Sequence, residues 1–159
     1  DIFFLDHGAT NNIDGLVDEF RKILFKEAGD PKLVFKGAAE LLQLLYKKNK
    51  RISLATTKPT FLARTLIKRY GIDHYFSFVQ GTEKNIRPKP KPDMIFKCLS
   101  KNSELSSVMI GDTISDILAA KNADIDSIGV TTGACNKKEL SNTCAIMVVD
   151  DLSSLIKFF

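Results

Sequence analysis

No stretch of this chain approaches the ~20 consecutive apolar residues that a membrane-spanning helix needs. Nor does a basic start lead into an apolar signal core at its N-terminus. A cytoplasmic location is therefore expected, with no membrane partner. Cysteine is scarce: Cys98, Cys135 and Cys144 are an odd number without a Cys-x-x-Cys spacing. That argues against a disulfide framework and against a zinc site, and leaves reduced thiols. Charge of one sign is not concentrated either. The net charge is +4, and the lysines are scattered without the interleaved aromatics that single-strand binders use, so nucleic acid is not an expected partner. Internal repeats, low-complexity tracts and an obvious interdomain linker are missing too. What remains is 159 residues, 44% hydrophobic and 26% charged, the range of one ordinary globular domain with a sizeable core.

Patterning begins in earnest near residue 35. In "GAAELLQLLYKKNK" Ala38, Leu41, Leu42 and Leu45 take the i, i+3, i+4, i+7 spacing of one helix face, and Asn49 is a natural stop. "RISLAT" reads as a short buried strand. Pro59 suits a first helical position, and Ala63, Leu66, Ile67 and Tyr70 form an apolar stripe that Gly71 ends. "YFSFV" is the second strand. Pro92 marks another helix start, with Ile95, Phe96 and Leu99 on its buried face, and "SSVMIG" is a third strand. A helix "ISDILAAKNA", two strands "DSIGV" and "AIMVVD", and a final amphipathic helix "DLSSLIKFF" complete the series. Strands alternating with helices imply parallel βαβ units and an α/β fold with a doubly wound parallel sheet. Ligands in such sheets bind beyond the carboxyl ends of the strands, so chemistry should appear there.

Three segments meet that demand. Thr56 ends the first strand and leads into "TKP" and a helix N-terminus, where free N–H groups and the helix dipole favour a phosphate. A threonine there can equally be a plain cap. In "NIRPKPKPD" the prolines fix an extended backbone around Lys89 and Lys91, so a lysine could neutralise a phosphoryl group and a neighbouring carboxylate together. The alternative is a solvated basic loop. In "VMIGDTISD" a buried strand runs into Gly111 and Asp112, delivering a carboxylate at the sheet edge while the glycine lets the backbone approach a ligand. Such an oxygen donor suits Mg²⁺. Asp116 follows, where Thr113 and Asp116 also fit a helix capping box.

Taken in order, "FKGAAELLQLLYKKNKRISLATTKP", "FSFVQGTEKNIRPKPKPD" and "SSVMIGDTISDILAAKNADIDSIGVTTG" resemble the haloacid dehalogenase-like hydrolase superfamily, most closely its phosphoglycolate phosphatase type branch. The resemblance covers residues 34–159 and rests on the order strand-end Thr, Lys-Pro-x-Pro, Gly-Asp-x-x-x-Asp. It implies that Thr56 binds phosphate. Thr57, where many relatives carry Asn, makes a backbone or substrate contact. Lys89 steadies the nucleophile and the transferred phosphoryl group, Asp112 binds Mg²⁺, and Asp116 supports the metal shell indirectly. The implied reaction is hydrolysis of a phosphomonoester of a small phosphorylated metabolite, phosphoglycolate-like, through an aspartyl-phosphate, with a second aspartate as general acid and base. A phosphomutase or a dehalogenase of the same superfamily is an alternative; a dehalogenase would not need the metal site at Asp112.

The resemblance also implies an Asp-x-Asp-Gly-Thr motif at the end of the central strand, and none occurs here. Asp6 in "FFLDHGAT" does not supply it: as second aspartate it would put Phe4 in the nucleophile position, and as first it would put Gly8 in the acid/base position. "FFLDHG", "NNIDG" and "LVDEFRKIL" instead resemble part of a helical cap, with Phe20 and Arg21 at its Phe-Arg site. The expected organisation is thus a partial cap over residues 1–33 and a core over 34–159 lacking its first motif strand. By that register a full-length relative carries roughly fifty more residues upstream, and this chain is expected to be an inactive fragment of such an enzyme. Two readings of another class stay open. One is a degenerate domain that binds phosphate or a protein partner without turnover. The other is a phosphoacceptor receiver domain, in which, however, the acidic pair would precede Thr and Lys along the chain.

Overall fold

The computed structural model describes residues 37–99 and 106–159. The expected cap segment, with Asp6, Gly8, Phe20 and Arg21, lies outside the described residues. Among the described residues the five strands are β1 (Ser53–Pro59), β2 (Phe78–Thr82), β3 (Val108–Gly111), β4 (Asp126–Val130) and β5 (Met147–Val149). The α-helices are α1 (Ala38–Lys47), α2 (Thr60–Arg69), α3 (Asp93–Leu99), α4 (Ile114–Asn122) and α5 (Lys137–Ser141). Two 3₁₀ segments, Asp73–Tyr75 and Leu152–Phe158, complete the set.

All strand pairs are parallel. Among the described residues they form two sheets, a two-stranded one ordered β1-β2 and a three-stranded one ordered β3-β4-β5. Alternation along the strands sends neighbouring residues to opposite faces. Ile110, Ile128 and Val130 join Leu41 of α1 and Leu155 of the final 3₁₀ segment in one core cluster. Met109 instead joins Ile95 of α3 and Ala119, Ala120 and Ala123 around α4 in another. Helices therefore cover both faces of the three-stranded sheet, the doubly wound arrangement. On the smaller sheet, Ala63 and Ile67 of α2 pack on Val79 and Leu54. Each fully buried anchor such as Met94, Ile117, Leu140 or Leu155 contributes roughly 1.5–3 kcal/mol of burial.

Several boundaries differ from expectation. The second strand begins at Phe78, because Asp73–Tyr75 forms a 3₁₀ turn in which Tyr75 and His74 meet the ring of Tyr46. Phe96 is 51% exposed, and Met94 takes its expected buried place beside Ile95. The C-terminal helix is 3₁₀: Asp151 Oδ1 accepts from Ser154 N–H and from both the Ser153 and Ser154 hydroxyls, a local network that competes with α-helical pairing. α5 was not expected, although Asn136 and Glu139 form a full capping box ahead of it.

The three cysteines are free thiols. Burial pushes the Cys98 thiol up to about 11, partly offset by the cation of Lys89, whereas Cys144 is exposed. At pH 8 in the native protein, Cys98 should react with a disulfide reagent about 100-fold more slowly than Cys144. Peptide mapping after a timed pulse measures the ratio, and equal labelling would contradict the burial.

Candidate active site

Lys89 lies in the loop between β2 and α3. Its side chain is 9% exposed, and the ammonium donates to the Ala55 carbonyl of β1 at 3.0 Å and to Asp116 Oδ1 of α4. One cation thus ties the carboxyl end of the smaller sheet to the helix that follows β3. Its loop is braced in turn. Arg87 donates from Nε to Asp93 Oδ1 at 2.8 Å, which closes the Lys89-Pro90-Lys91-Pro92 segment into a loop, and Asn122 Nδ2 donates to the Pro90 carbonyl at 2.9 Å. The hydrogen bond from Arg87 holds the Asp93 carboxyl below its usual range. Lys91, the other lysine of the segment, is exposed.

Asp116 is buried and fully engaged. Besides the Lys89 ammonium on Oδ1, its Oδ2 accepts from the Thr113 N–H at 3.1 Å and the Thr113 hydroxyl at 2.7 Å, and its own N–H donates to Thr113 Oγ1 at 3.1 Å. The expected capping box is therefore present, and the same side chain also holds the Lys89 ammonium. A Cβ at Gly111 would overlap the Asp116 side chain, so that glycine makes room for Asp116 and not, as expected, for a ligand.

Asp112 follows β3 directly. Its Oδ2 accepts from the Ala134 N–H at 3.0 Å, its carbonyl accepts from the Cys135 N–H at 3.1 Å, and a Cβ on Gly133 would fall on Oδ2. The segment after β4 thus seats the carboxylate. Sequence reasoning gave this "TTG" stretch no role; its signal was a glycine three residues beyond a strand. Thr56 is half-buried on β1, one residue beyond the carbonyl that Lys89 holds, and its Oγ1 accepts from the Lys58 N–H at 3.2 Å. Thr57 is exposed, and its carbonyl accepts from the Thr82 hydroxyl at 2.6 Å. Thr56, Lys89, Asp112 and Asp116 therefore gather at the carboxyl ends of β1 and β3. The one Asp-x-Asp pair among the described residues, Asp124 and Asp126, sits at the amino end of β4, the opposite edge.

A family model described as haloacid dehalogenase-like hydrolase matches residues 4–130. The chain belongs to that family. Its relatives put it in the phosphoglycolate phosphatase-like branch of the haloacid dehalogenase-like hydrolases. It is 33% identical over 139 residues to the "Probable phosphatase IndB" of Dickeya dadantii, covering 86% of this chain and 60% of that protein. It is 35% identical over 109 residues to the phosphoglycolate phosphatase of Vibrio cholerae, covering 67% of this chain and 48% of the relative. A candidate phosphatase structure from Clostridium difficile superposes with a TM-score of 0.77 at 28% identity, over 89% of this chain and 67% of its own. The chain spans 60% or less of the length of these two curated relatives.

Haloacid dehalogenase-like phosphatases generally use Mg²⁺, an ion held by oxygen donors. Among the described residues no three His, Cys, Asp or Glu side chains cluster as a metal cage. Asp116 has both oxygens engaged, whereas Asp112 accepts at Oδ2 only, from one backbone N–H. One seated carboxylate fits the usual mode of Mg²⁺, which relies on one or two carboxylates with substrate phosphate and water.

Proposed function

We propose that this chain forms the phosphate- and metal-binding part of a Mg²⁺-dependent phosphomonoester hydrolase acting on a small phosphorylated metabolite, phosphoglycolate-like, in the cytoplasm. The observation that carries the reading is the position of Lys89, buried between the Ala55 carbonyl and Asp116 with Thr56 beside it and Asp112 four residues before its partner. The Thr56 hydroxyl would hold a phosphoryl oxygen in ground and transition state alike, while the Lys89 ammonium would favour the charge developing in the transition state. Asp116 keeps the ammonium from collapsing into solvent. Asp112 would hold Mg²⁺, which supplies charge offset between enzyme and phosphate when bound. The attacking aspartate and the acid/base aspartate, with the aspartyl-phosphate they imply, belong to an Asp-x-Asp-Gly-Thr strand that these 159 residues do not contain. In this reading that strand would lie between β1 and β3 and join the two sheets into one.

Two assays separate the parts of this reading. The 159-residue chain alone should not hydrolyse p-nitrophenyl phosphate above background, while the same chain joined to a strand bearing Asp-x-Asp-Gly-Thr should do so only with Mg²⁺. In the joined protein Thr56→Val should lower kcat/KM by about 10- to 100-fold, the worth of one hydrogen bond to a charged group. No turnover in the joined protein would instead favour a non-catalytic phosphate-binding module, the reading that the missing aspartate motif supports for the chain by itself.

A further inference from the structure

The pairing of β1 with β2 is irregular where it matters most. Ala55 pairs with Gln80 and Pro59 with Thr82, so residues 56–58 on β1 face the single residue Gly81 on β2. A bulge of this kind unpairs backbone groups and re-aims side chains. It is tied down from the β2 side at three points. The Thr82 hydroxyl donates to the Thr57 carbonyl at 2.6 Å. The Gly81 N–H donates to Thr60 Oγ1 at 3.0 Å, and that hydroxyl donates its proton to Glu83 Oε1 at 2.7 Å. Gly81 itself is so close that a Cβ would collide with the Lys58 carbonyl and the Thr60 backbone, atoms that cannot swing aside.

We infer that the end of β2 is a clasp that sets the shape of the phosphate-binding bulge, with Thr82, Gly81 and Thr60 as positioning residues for Thr56. The inference rests on the phosphate-binding reading of Thr56 given above. None of the three faces the phosphoryl group in this scheme; they act through the backbone of residues 56–58. With the Thr57 carbonyl satisfied by Thr82, the bulge has one arrangement, in which the Lys58 N–H turns onto Thr56 Oγ1 and fixes which way that hydroxyl points. Removing the Thr82 hydroxyl leaves the Thr57 carbonyl without its donor and lets the bulge rotate, so the cost appears in ligand affinity. Because ground state and transition state use the same oxygen ligands, KM should respond more than kcat.

The test uses the protein joined to its Asp-x-Asp-Gly-Thr strand, with inorganic phosphate as the binding probe and p-nitrophenyl phosphate as substrate. Thr82→Val should weaken phosphate binding and raise KM about 5- to 10-fold, with a smaller fall in kcat. Thr82→Ser, which returns the donor, should restore both, and Gly81→Ala should weaken phosphate binding at least as much as Thr82→Val. If Thr82→Val lowers only the unfolding midpoint and leaves phosphate affinity and KM at wild-type values, the clasp is structural and the inference falls, while the phosphate reading stands. If the unmodified protein binds no phosphate, the reading of Thr56 falls and takes the clasp with it.

Discussion

Lys89→Met should destabilise the chain by about 3 kcal/mol, a drop large enough to see in a urea titration. The ammonium is 9% exposed and its partner Asp116 6%, so the substitution strands a carboxylate that solvent barely reaches. Thr113 still donates twice to Oδ2, which keeps the loss near the lower end for a broken buried pair. The loss should also be non-additive. In Lys89→Met/Asp116→Asn the stranded charge is gone and an amide oxygen can still accept from Thr113, so the double variant should be more stable than Lys89→Met alone. An effect under about 1 kcal/mol would mean that the pair is solvated like a surface salt bridge and that Lys89 is not held as described.

How far such a site can be read from sequence depends on the reach of each interaction. The capping box of Thr113 and Asp116 spans three residues, and the strand "DSIGV" is a continuous apolar run; both are local signals, and both agree with the structure. Lys89 and Asp116 are 27 residues apart, and Thr82 and Thr57 are 25 apart, so neither contact leaves a trace in any sequence window. The second strand starts later than its pattern suggests because Tyr75 and Phe76 have strong β preference, yet Tyr75 is drawn into a 3₁₀ turn beside Tyr46, a partner 29 positions away in sequence. Met94 is buried in place of Phe96 because period alone does not tell which large residues of the run Met94-Ile95-Phe96 face the sheet. The order of strand-end chemistry was nonetheless legible, since parallel topology delivers successive strand ends to one edge whatever the exact boundaries.

Asp112→Asn should have the opposite profile to Lys89→Met, with a large loss of function and little loss of fold. Asp112 is half-buried, and its structural contact is one backbone N–H on Oδ2, which an amide oxygen can accept equally well. Stability should therefore stay within about 0.5 kcal/mol of wild type. What the amide cannot offer is the anionic oxygen that a hard divalent cation selects. In the protein joined to its Asp-x-Asp-Gly-Thr strand, turnover should fall on the order of a thousandfold, about 4 kcal/mol of transition-state stabilisation. A second measurement frees the result from turnover itself: Mn²⁺ binding, followed by water proton relaxation, should weaken in Asp112→Asn and persist in Thr56→Val. Gly133→Ala should weaken it as well, because its Cβ displaces the Asp112 carboxylate without altering any donor. Wild-type Mn²⁺ affinity in Asp112→Asn, with turnover unchanged, would remove Asp112 from the metal site and leave its contacts with the loop after β4 as its whole role.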